Sequence, residues 1–263
     1  MPKEKNNSPR VCVVFGGGLA RGAAHIGVLK ALKCSDIPID MVVGTSAGAF
    51  MGALYAAGMP LGEMEKKAQH LRWWDILSFG FSATGIFSPK KIQTLMTSLI
   101  GAPTFAELHT PLAVTAVDLI SGKLVILRDG DVGEAVMASC IMPGIYQPYR
   151  KGEMMLADGG LRSCLPVSVA RQLGANIVIA ISLGFLGNSY THLRDPYHIL
   201  FRAFDLAAMQ ISEVEQRDAD VLIAPDIEHL LPTNFACADE LIRRGEAAAT
   251  KALPSIQACL KRG

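Results

Sequence analysis

The chain has almost no excess of charge of either sign. Its 263 residues include 25 Lys or Arg and 24 Asp or Glu, which gives a formal net charge of +1, and no dense Lys/Arg run interrupts the pattern. Nucleic acids and anionic membranes attract proteins through concentrated positive charge. The sequence therefore gives no electrostatic reason to expect either as the main partner, and the charges are interpreted as a mixed, solvated surface.

Long apolar runs and paired cysteines are also missing. Half of the residues are hydrophobic, yet no stretch approaches the roughly 18 apolar residues of a membrane span, and the run Val11–Phe15 is too short for a signal-peptide core. The six cysteines form no CxxC pair, and no histidine stands at zinc-finger spacing. These absences predict a soluble, cytoplasmic protein with its cysteines buried as small hydrophobes. Peripheral attachment at the inner membrane surface stays open.

Short apolar runs alternate with helical patterns along most of the chain. Strands are predicted at residues 11–15, 41–43, 176–182 and 221–224, and a hairpin at 111–118 and 123–127. Helices are predicted at residues 22–33, 47–57, 131–139, 197–215 and 237–261. This alternation predicts one α/β domain over residues 11–263, a three-layer α/β/α sandwich with a mostly parallel central sheet, after a disordered polar tail at residues 1–10.

The segment Gly44-Thr45-Ser46-Ala47-Gly48 follows a predicted strand and opens a predicted helix. A GxSxG pattern in this setting is typical of a nucleophile elbow, in which flanking glycines leave room for a strained turn. The serine then projects from the carboxyl edge of the sheet, and the Ala47 amide at the helix N-terminus points positive charge at a developing oxyanion. The simpler alternative is a serine that only caps the helix.

A second glycine-rich loop, Gly16-Gly17-Gly18, also lies between a strand and a helix. A phosphate-binding P-loop is excluded because Ala23 stands where that motif needs lysine. A dinucleotide fingerprint is weakened because Arg21 replaces its third glycine. The remaining interpretation is an oxyanion loop of unshielded backbone N–H groups, with Arg21 either holding the loop or assisting an anion.

Asp158 is the candidate base for Ser46. It ends a short apolar run and precedes Gly159-Gly160, a pattern that by itself indicates only a turn. A Ser-His-Asp triad in α/β-hydrolase order would instead need a late histidine, and His192, His198 and His229 come late enough. None of them has a glycine-framed loop like that of Asp158, so a structural role is favoured for each.

Taken together, GGGLARG, GTSAG and DGG, in this order, resemble the bacterial patatin-like phospholipase family. The segment 138–148 resembles the family's helix and turn ahead of the aspartate motif, and the likeness runs from about Val11 to Pro166. One departure follows the aspartate motif, where Ser163 or Cys164 stands at the position that holds Asn in relatives. This departure affects a supporting hydrogen bond and puts the substrate preference in doubt.

The resemblance implies hydrolysis of lipid or other carboxylic esters without a metal or cofactor. It implies that Ser46 is the nucleophile and Asp158 the base that activates it. The implied oxyanion hole comprises Gly16, Gly17, Gly18, Arg21 and Ala47, and the supporting glycines are Gly44, Gly48, Gly159 and Gly160. The expected partner is a lipid or fatty-acyl ester, met during transient contact with a membrane surface.

Two points stay open in the sequence. The aromatic residues of segment 73–87 form either a lipid-facing lid or the packing between two flanking helices: Trp73, Trp74, Phe79, Phe81 and Phe87. The second point is activity itself, because a catalytically weak lipid-binding or regulatory protein on the same scaffold is the main alternative. An intact Ser46 and Asp158 favour the enzyme.

Overall fold

The computed structural model describes residues 9–82, 85–184 and 196–262. The strands are β1 Val11–Phe15, β2 Met41–Thr45, β3 Phe79–Ser82, β4 Gly85–Phe87, β5 Leu112–Asp118, β6 Leu124–Leu127, β7 Tyr149–Lys151, β8 Met154–Asp158, β9 Ile177–Ile181 and β10 Val221–Ile223. The α-helices are α1 Ala24–Cys34, α2 Ala47–Ala56, α3 Leu61–His70, α4 Trp73–Ile76, α5 Lys90–Ile100, α6 Val132–Ser139, α7 Val167–Gln172, α8 Pro196–Arg217 and α9 Ala238–Leu260.

One eight-stranded sheet organises these elements. Its strand order is β10-β9-β1-β2-β5-β8-β7, with β6 paired to β5. Strands β10 to β5 of this path run parallel, whereas β6, β7 and β8 pair antiparallel at one side. The central strands are buried along their whole length, as expected where helices cover both faces of a parallel sheet.

Alternate residues of the central strands feed two separate cores. On β1, Val11, Val13 and Phe15 belong to the larger core, which also receives residues of α1, α2 and α9. Cys12 and Val14 point to the opposite face, where they pack against residues of α7. Side chains alternate across a strand, so two buried faces require two helical layers. The predicted three-layer sandwich with a mostly parallel sheet is confirmed.

Several local predictions need correction. Arg10 was assigned to a disordered tail, but its backbone N–H donates to Asn176 Oδ1 at 2.8 Å and its guanidinium donates to a carbonyl at 3.0 Å. Residues 1–8 lie outside the described part of the chain. Cys12 is buried as predicted, whereas Cys34 is exposed and the other four cysteines are half-buried. The prediction of six buried cysteines is therefore wrong, since only one of them lies in the sheet.

In the described part of the chain, no helix is both long enough and apolar enough to cross a bilayer.

Candidate active site

Ser46 occupies a strained turn between β2 and α2. Its backbone has φ 54° and ψ −123°, a positive-φ conformation that residues other than glycine rarely adopt. The backbone N–H of Ser46 donates to Ser139 Oγ at 2.7 Å, which holds the turn from α6. The side chain is 9% exposed. This strained strand–turn–helix geometry is the one that a nucleophile elbow requires.

The two glycines of the elbow are required by close packing. A Cβ on Gly48 would overlap the carbonyl group of Phe15, and one on Gly44 would lie 2.6 Å from the carbonyl oxygen of Gly48. Real side chains never approach backbone so closely, so only glycine lets α2 lie directly against β1 and β2. This contact sets the position from which Ser46 projects.

Strand register brings Asp158 level with Ser46. Thr45 pairs with Thr115 on β5, and the next residue of β5, Ala116, pairs with Asp158 at the end of β8. Ser46, which follows Thr45, and Asp158, which precedes Gly159, therefore lie on either side of β5, the strand between β2 and β8. Ser46 and Asp158 line the same two cavities, so the structure brings the two predicted residues together.

The Asp158 carboxyl group is buried, with 3% of the residue exposed. Burial raises its pKa from 3.8 to about 6, because a charged group loses hydration. The neighbouring Ser46 hydroxyl and the Gly160 N–H, which donates to Oδ1 at 2.8 Å, act in the opposite direction by stabilising the carboxylate. A carboxylate with this pKa is a stronger base than a solvated aspartate, as proton abstraction near neutral pH requires.

The turn after Asp158 is as tightly packed as the elbow. A Cβ on Gly159 would lie 2.5 Å from Thr115 Oγ1, and one on Gly160 would lie 3.1 Å from both Asp158 Oδ1 and the Phe204 ring. Both glycines therefore let the turn fold against β5 and α8 while the carboxylate keeps its contact with the turn amide.

Histidine is absent from the described lining of both cavities. His229 lies instead at the surface, half exposed, where Nε2 is 3.4 Å from Glu240. His192 and the side chain of His198 lie outside the described residues. The described geometry thus supports Asp158, and it places His229 beside Glu240 at the surface.

The glycine loop uses two of its three predicted oxyanion donors for other bonds. The Gly16 N–H donates to the Ile181 carbonyl at 3.1 Å, and the Gly17 N–H donates to the Cys164 carbonyl at 2.9 Å. The oxyanion assignment of these two amides is therefore corrected, because each already has an acceptor. Within the described residues, the N–H groups of Gly18 and Ala47 have no acceptor. A Cβ on Gly17 would lie 3.4 Å from Ser46 Cβ, so the loop still flanks the serine directly.

Arg21 is buried, with 1% of the residue exposed. Its guanidinium donates to the carbonyl oxygens of Leu230 and Glu228 at 2.9 and 3.0 Å, and to those of Leu183 and Gly184 at 3.5 and 3.4 Å. These bonds support the first of the two roles set out for Arg21, which is to hold the loop against the segments at 183–184 and 228–230. They correct its placement among the oxyanion donors.

Two supporting residues were missed from the sequence. Ser139 accepts the Ser46 N–H, and His25 Nε2 lies 2.9 Å from the Gly16 carbonyl oxygen. His25 stacks on Phe15, and burial lowers its pKa to about 4, so the ring is neutral and Nε2 carries the donated proton. Neither role has a local signal, because each contact joins segments that only the fold brings together.

Two cavities meet at Ser46 and Asp158. The large cavity, of about 270 Å³, is lined almost entirely by apolar side chains, among them Phe50, Met51, Trp73, Ile76, Met142 and Tyr146. The small cavity, of about 50 Å³, lies beside the glycine loop and is lined in part by Gly17, Gly18, Arg21 and Asp205. Two residues between a larger apolar space and a small space can hold an ester with a hydrophobic acyl group and a compact alcohol.

Segment 73–87 lies partly at the large cavity and partly at the surface. Trp73 and Ile76 line the large cavity, whereas Trp74 and Phe79 are 68% and 75% exposed. Phe87 packs against Phe79, with ring centroids 5.1 Å apart. The side chain of Phe81 lies outside the described residues.

Solved structures with a similar fold are known from pathogenic bacteria. VipD from Legionella pneumophila matches 97% of this chain with a TM-score of 0.62 at 14% identity, and the match covers 67% of that chain. ExoU from Pseudomonas aeruginosa, solved in complex with SpcU, matches 95% of this chain with a TM-score of 0.55 at 13% identity, over 53% of its own length. At such low identity these matches show the fold alone.

Sequence relatives are more closely similar. An uncharacterized NTE family protein of Mycobacterium tuberculosis is 36% identical over 181 residues, which is 68% of this chain and 50% of the relative. Human patatin-like phospholipase domain-containing protein 6 is 32% identical over 185 residues, 66% of this chain and 13% of that protein. The chain therefore spans half or less of the length of these relatives.

The family model of the patatin-like phospholipases matches residues 13–171, which is more than half of the chain and includes the glycine loop, the turn at Ser46 and the aspartate turn. The chain belongs to the patatin-like phospholipase family.

Proposed function

We propose that this protein is a serine acyl-hydrolase that cleaves lipid carboxylic esters through Ser46 and Asp158. The observation that carries the proposal is a strained serine beside a buried carboxylate with a raised pKa, both at the wall of an apolar cavity. Perturbed titratable groups in a cleft are characteristic of catalytic sites. Membership of the patatin-like phospholipase family supports the same reaction class.

The proposed reaction proceeds in two steps. Asp158 accepts the Ser46 hydroxyl proton while Oγ attacks the ester carbonyl carbon, and the proton then passes to the alcohol oxygen as the carbon–oxygen bond breaks. Water next attacks the acyl-enzyme, giving its proton to Asp158, and the carboxylic acid leaves as Ser46 Oγ is reprotonated. The amides of Gly18 and Ala47 hold the oxyanion in both steps.

The two cavities favour a substrate with one long acyl chain. The apolar cavity accepts the chain of the ester that Ser46 attacks. A second long chain would have to enter the small cavity, whose volume of about 50 Å³ is too small to hold it. Within the phospholipase and lysophospholipase activities of this reaction class, we therefore favour the single-chain substrate.

Contact with a lipid surface is part of the proposal. Trp74 and Phe79 expose large aromatic side chains on the same segment whose Trp73 lines the cavity. Aromatic side chains are favoured at membrane–water interfaces. This segment would meet the bilayer while a lipid enters the cavity. The cytoplasmic location expected from the sequence stays a prediction.

Labelling with a fluorophosphonate probe tests the reaction class. We expect an adduct on Ser46, located by mass mapping of the modified peptide, that is absent from Ser46→Ala and strongly reduced in Asp158→Asn. Each variant should keep the melting behaviour of a folded protein. A folded wild-type protein without any adduct would contradict the proposal and would favour the lipid-binding alternative.

A further inference from the structure

Glu215 on α8 is a buried carboxylate that the reaction does not use. The residue is 8% exposed, and within the described part of the chain no Lys, Arg or His forms an ion pair with it. Burying a carboxylate without a cation is costly, so such groups persist where hydrogen bonds stabilise them and where they serve a purpose. Burial also raises the pKa of Glu215 above its usual value.

Two serine hydroxyls supply the hydrogen bonds. Ser163 Oγ lies 2.9 and 2.8 Å from the two carboxylate oxygens of Glu215, and Ser168 Oγ donates to Oε1 at 2.7 Å. Ser168 lies on α7, whereas Ser163 lies in the loop that follows the aspartate turn. Glu215 therefore fixes the side chain of Ser163 from a helix outside the motifs.

The backbone at Ser163 and Cys164 joins all three motifs. The Ser163 N–H donates to the Gly159 carbonyl at 2.9 Å, and the Cys164 carbonyl accepts the Gly17 N–H at 2.9 Å. The Ser163 carbonyl accepts a 2.9 Å hydrogen bond from Thr45 Oγ1, on the residue directly before Ser46. One two-residue segment thus contacts the aspartate turn, the glycine loop and the elbow.

We propose that Glu215 and Ser163 are positioning residues that hold the nucleophile elbow, the glycine loop and the aspartate turn in register. The inference rests on the proposed hydrolase function, because register between these loops matters only if Ser46 and Asp158 react together. Small displacements of reacting groups cost large factors in rate while binding surfaces stay intact. Loss of the Ser163 hydroxyl should therefore lower kcat and leave KM unchanged.

The test compares variants of the two serines whose hydroxyl groups both hydrogen-bond to Glu215. Ser163→Ala removes the hydroxyl that connects Glu215 to the loops, and Ser168→Ala removes the other hydroxyl on the same carboxylate. With a soluble short-chain nitrophenyl ester, we expect Ser163→Ala to lower kcat about 10- to 100-fold at an unchanged KM. Ser168→Ala should keep kcat within about twofold of wild type, since among the described residues Ser168 makes no side-chain hydrogen bond to any of the three motifs.

Rescue and labelling separate positioning from general loss of stability. Ser163→Thr keeps the hydroxyl and should recover most of the kcat, and the rate of fluorophosphonate labelling at Ser46 should fall and recover in parallel with it. If Ser163→Ala does not fold, Glu215→Gln carries the same comparison, because its amide nitrogen cannot accept a serine proton and one of the acceptors is lost.

Two results would overturn the inference. One is equal kcat in Ser163→Ala, Ser168→Ala and wild type, and the other is an equal fall in both variants, which would indicate destabilisation alone. Failure of the hydrolase function itself looks different, because wild-type protein would then neither hydrolyse the ester nor label at Ser46.

Discussion

The reaction centre and the outer wall of the large cavity are built in contrasting ways. The reaction centre, residues 44–48 with 16–18, lies at the ends of adjacent buried strands and is locked by backbone contacts that only glycine permits. The outer wall is formed by Trp73 and Ile76, which belong to a surface segment, residues 73–82 and 85–87, of one short helix and one two-stranded hairpin with exposed aromatic side chains. Closely packed backbone thus surrounds the proposed reacting residues, whereas side chains of a surface segment border the cavity proposed for the substrate.

This contrast predicts two kinds of mutational effect. Substitutions in the reaction centre should change kcat or folding, because every atom there has close neighbours. Substitutions in the outer wall should change substrate preference, because the proposed acyl chain would contact the wall at a distance from the proposed reacting atoms. The following variants test that division, beginning with the largest expected effect.

Removal of the nucleophile should have the largest effect. Ser46→Ala is expected to lower kcat by up to about a millionfold, the scale seen when a serine nucleophile is lost. Ser46→Gly should be equally inactive yet more stable than Ser46→Ala by about 1 kcal/mol, since glycine adopts the positive φ of 54° without strain. Ester hydrolysis and urea unfolding measure the two effects. Equal stability of the two variants would argue against a strained elbow.

Asp158 should set the pH dependence of both activity and stability. The reaction needs the carboxylate, so kcat should rise about tenfold per pH unit up to the pKa of about 6 and then level off. Asp158→Asn should lower kcat by about 100- to 10,000-fold and abolish this rise.

Stability should change in the opposite direction to activity. Because burial raises the folded-state pKa of Asp158 from 3.8 to about 6, the folded state holds the proton more tightly. The protonated Asp158 carboxyl group therefore contributes its full stabilisation below the unfolded-state pKa of 3.8. This contribution to the free energy of unfolding, up to about 3 kcal/mol, is lost as pH rises through about 6. Asp158→Asn should gain stability relative to wild type at pH 7 and not at pH 4. A gain that is independent of pH would contradict the burial argument.

Gly48→Ala tests the close packing of the elbow. Its Cβ would overlap the Phe15 carbonyl, and we expect a loss of about 1–3 kcal/mol or failure to fold. Gly62→Ala is the matched control, because Gly62 lies in α3 and its Cβ would meet nothing within 4 Å. That variant should be more stable than wild type by about 0.5–1 kcal/mol. Thermal unfolding of the pair measures the difference.

Adjacent tryptophans give the most sensitive test of the outer wall. Trp73 lines the cavity, donates to the Thr233 carbonyl at 3.0 Å and packs edge-on against Phe235, whereas Trp74 is 68% exposed. Trp73→Ala should raise KM several-fold for long-chain esters, because binding would lose about 1–3 kcal/mol of apolar contact. The same variant should change KM little for short-chain esters. Trp74→Ala should leave soluble-ester kinetics unchanged and weaken binding to lipid vesicles. If the two variants had the same ester kinetics and the same vesicle binding, the distinction between a cavity-lining Trp73 and a surface Trp74 would be contradicted.

Local signals in the sequence were sufficient for much of the fold. Strands β1, β2, β9 and β10 and the β5–β6 hairpin appear where β-branched runs and turn residues predicted them. Strand β7 and the β3–β4 hairpin were not predicted, because each has three or four residues and a weak pattern.

Among the site residues, too, some could be predicted from the sequence and others could not. GTSAG predicted the turn at Ser46, because the strand, the turn and the helix are contiguous and one short segment contains the whole pattern. Donors in the glycine loop were misassigned, because the acceptors of the Gly16 and Gly17 amides lie on Ile181 and Cys164, more than a hundred residues away in the chain.

The sequence alone determined most of the central strands, the strand–turn–helix segment at Ser46 and the family, since each is carried by short contiguous segments. Tertiary structure decided which amides remain without an acceptor, that Arg21 holds loops, and that Glu215 reaches Ser163. It also decided the pKa of Asp158, because burial arises only when β5, β8 and the loops around them have closed over the carboxylate. Hydration and hydrogen-bond partners are properties of the assembled fold, and no local pattern of residues specifies them.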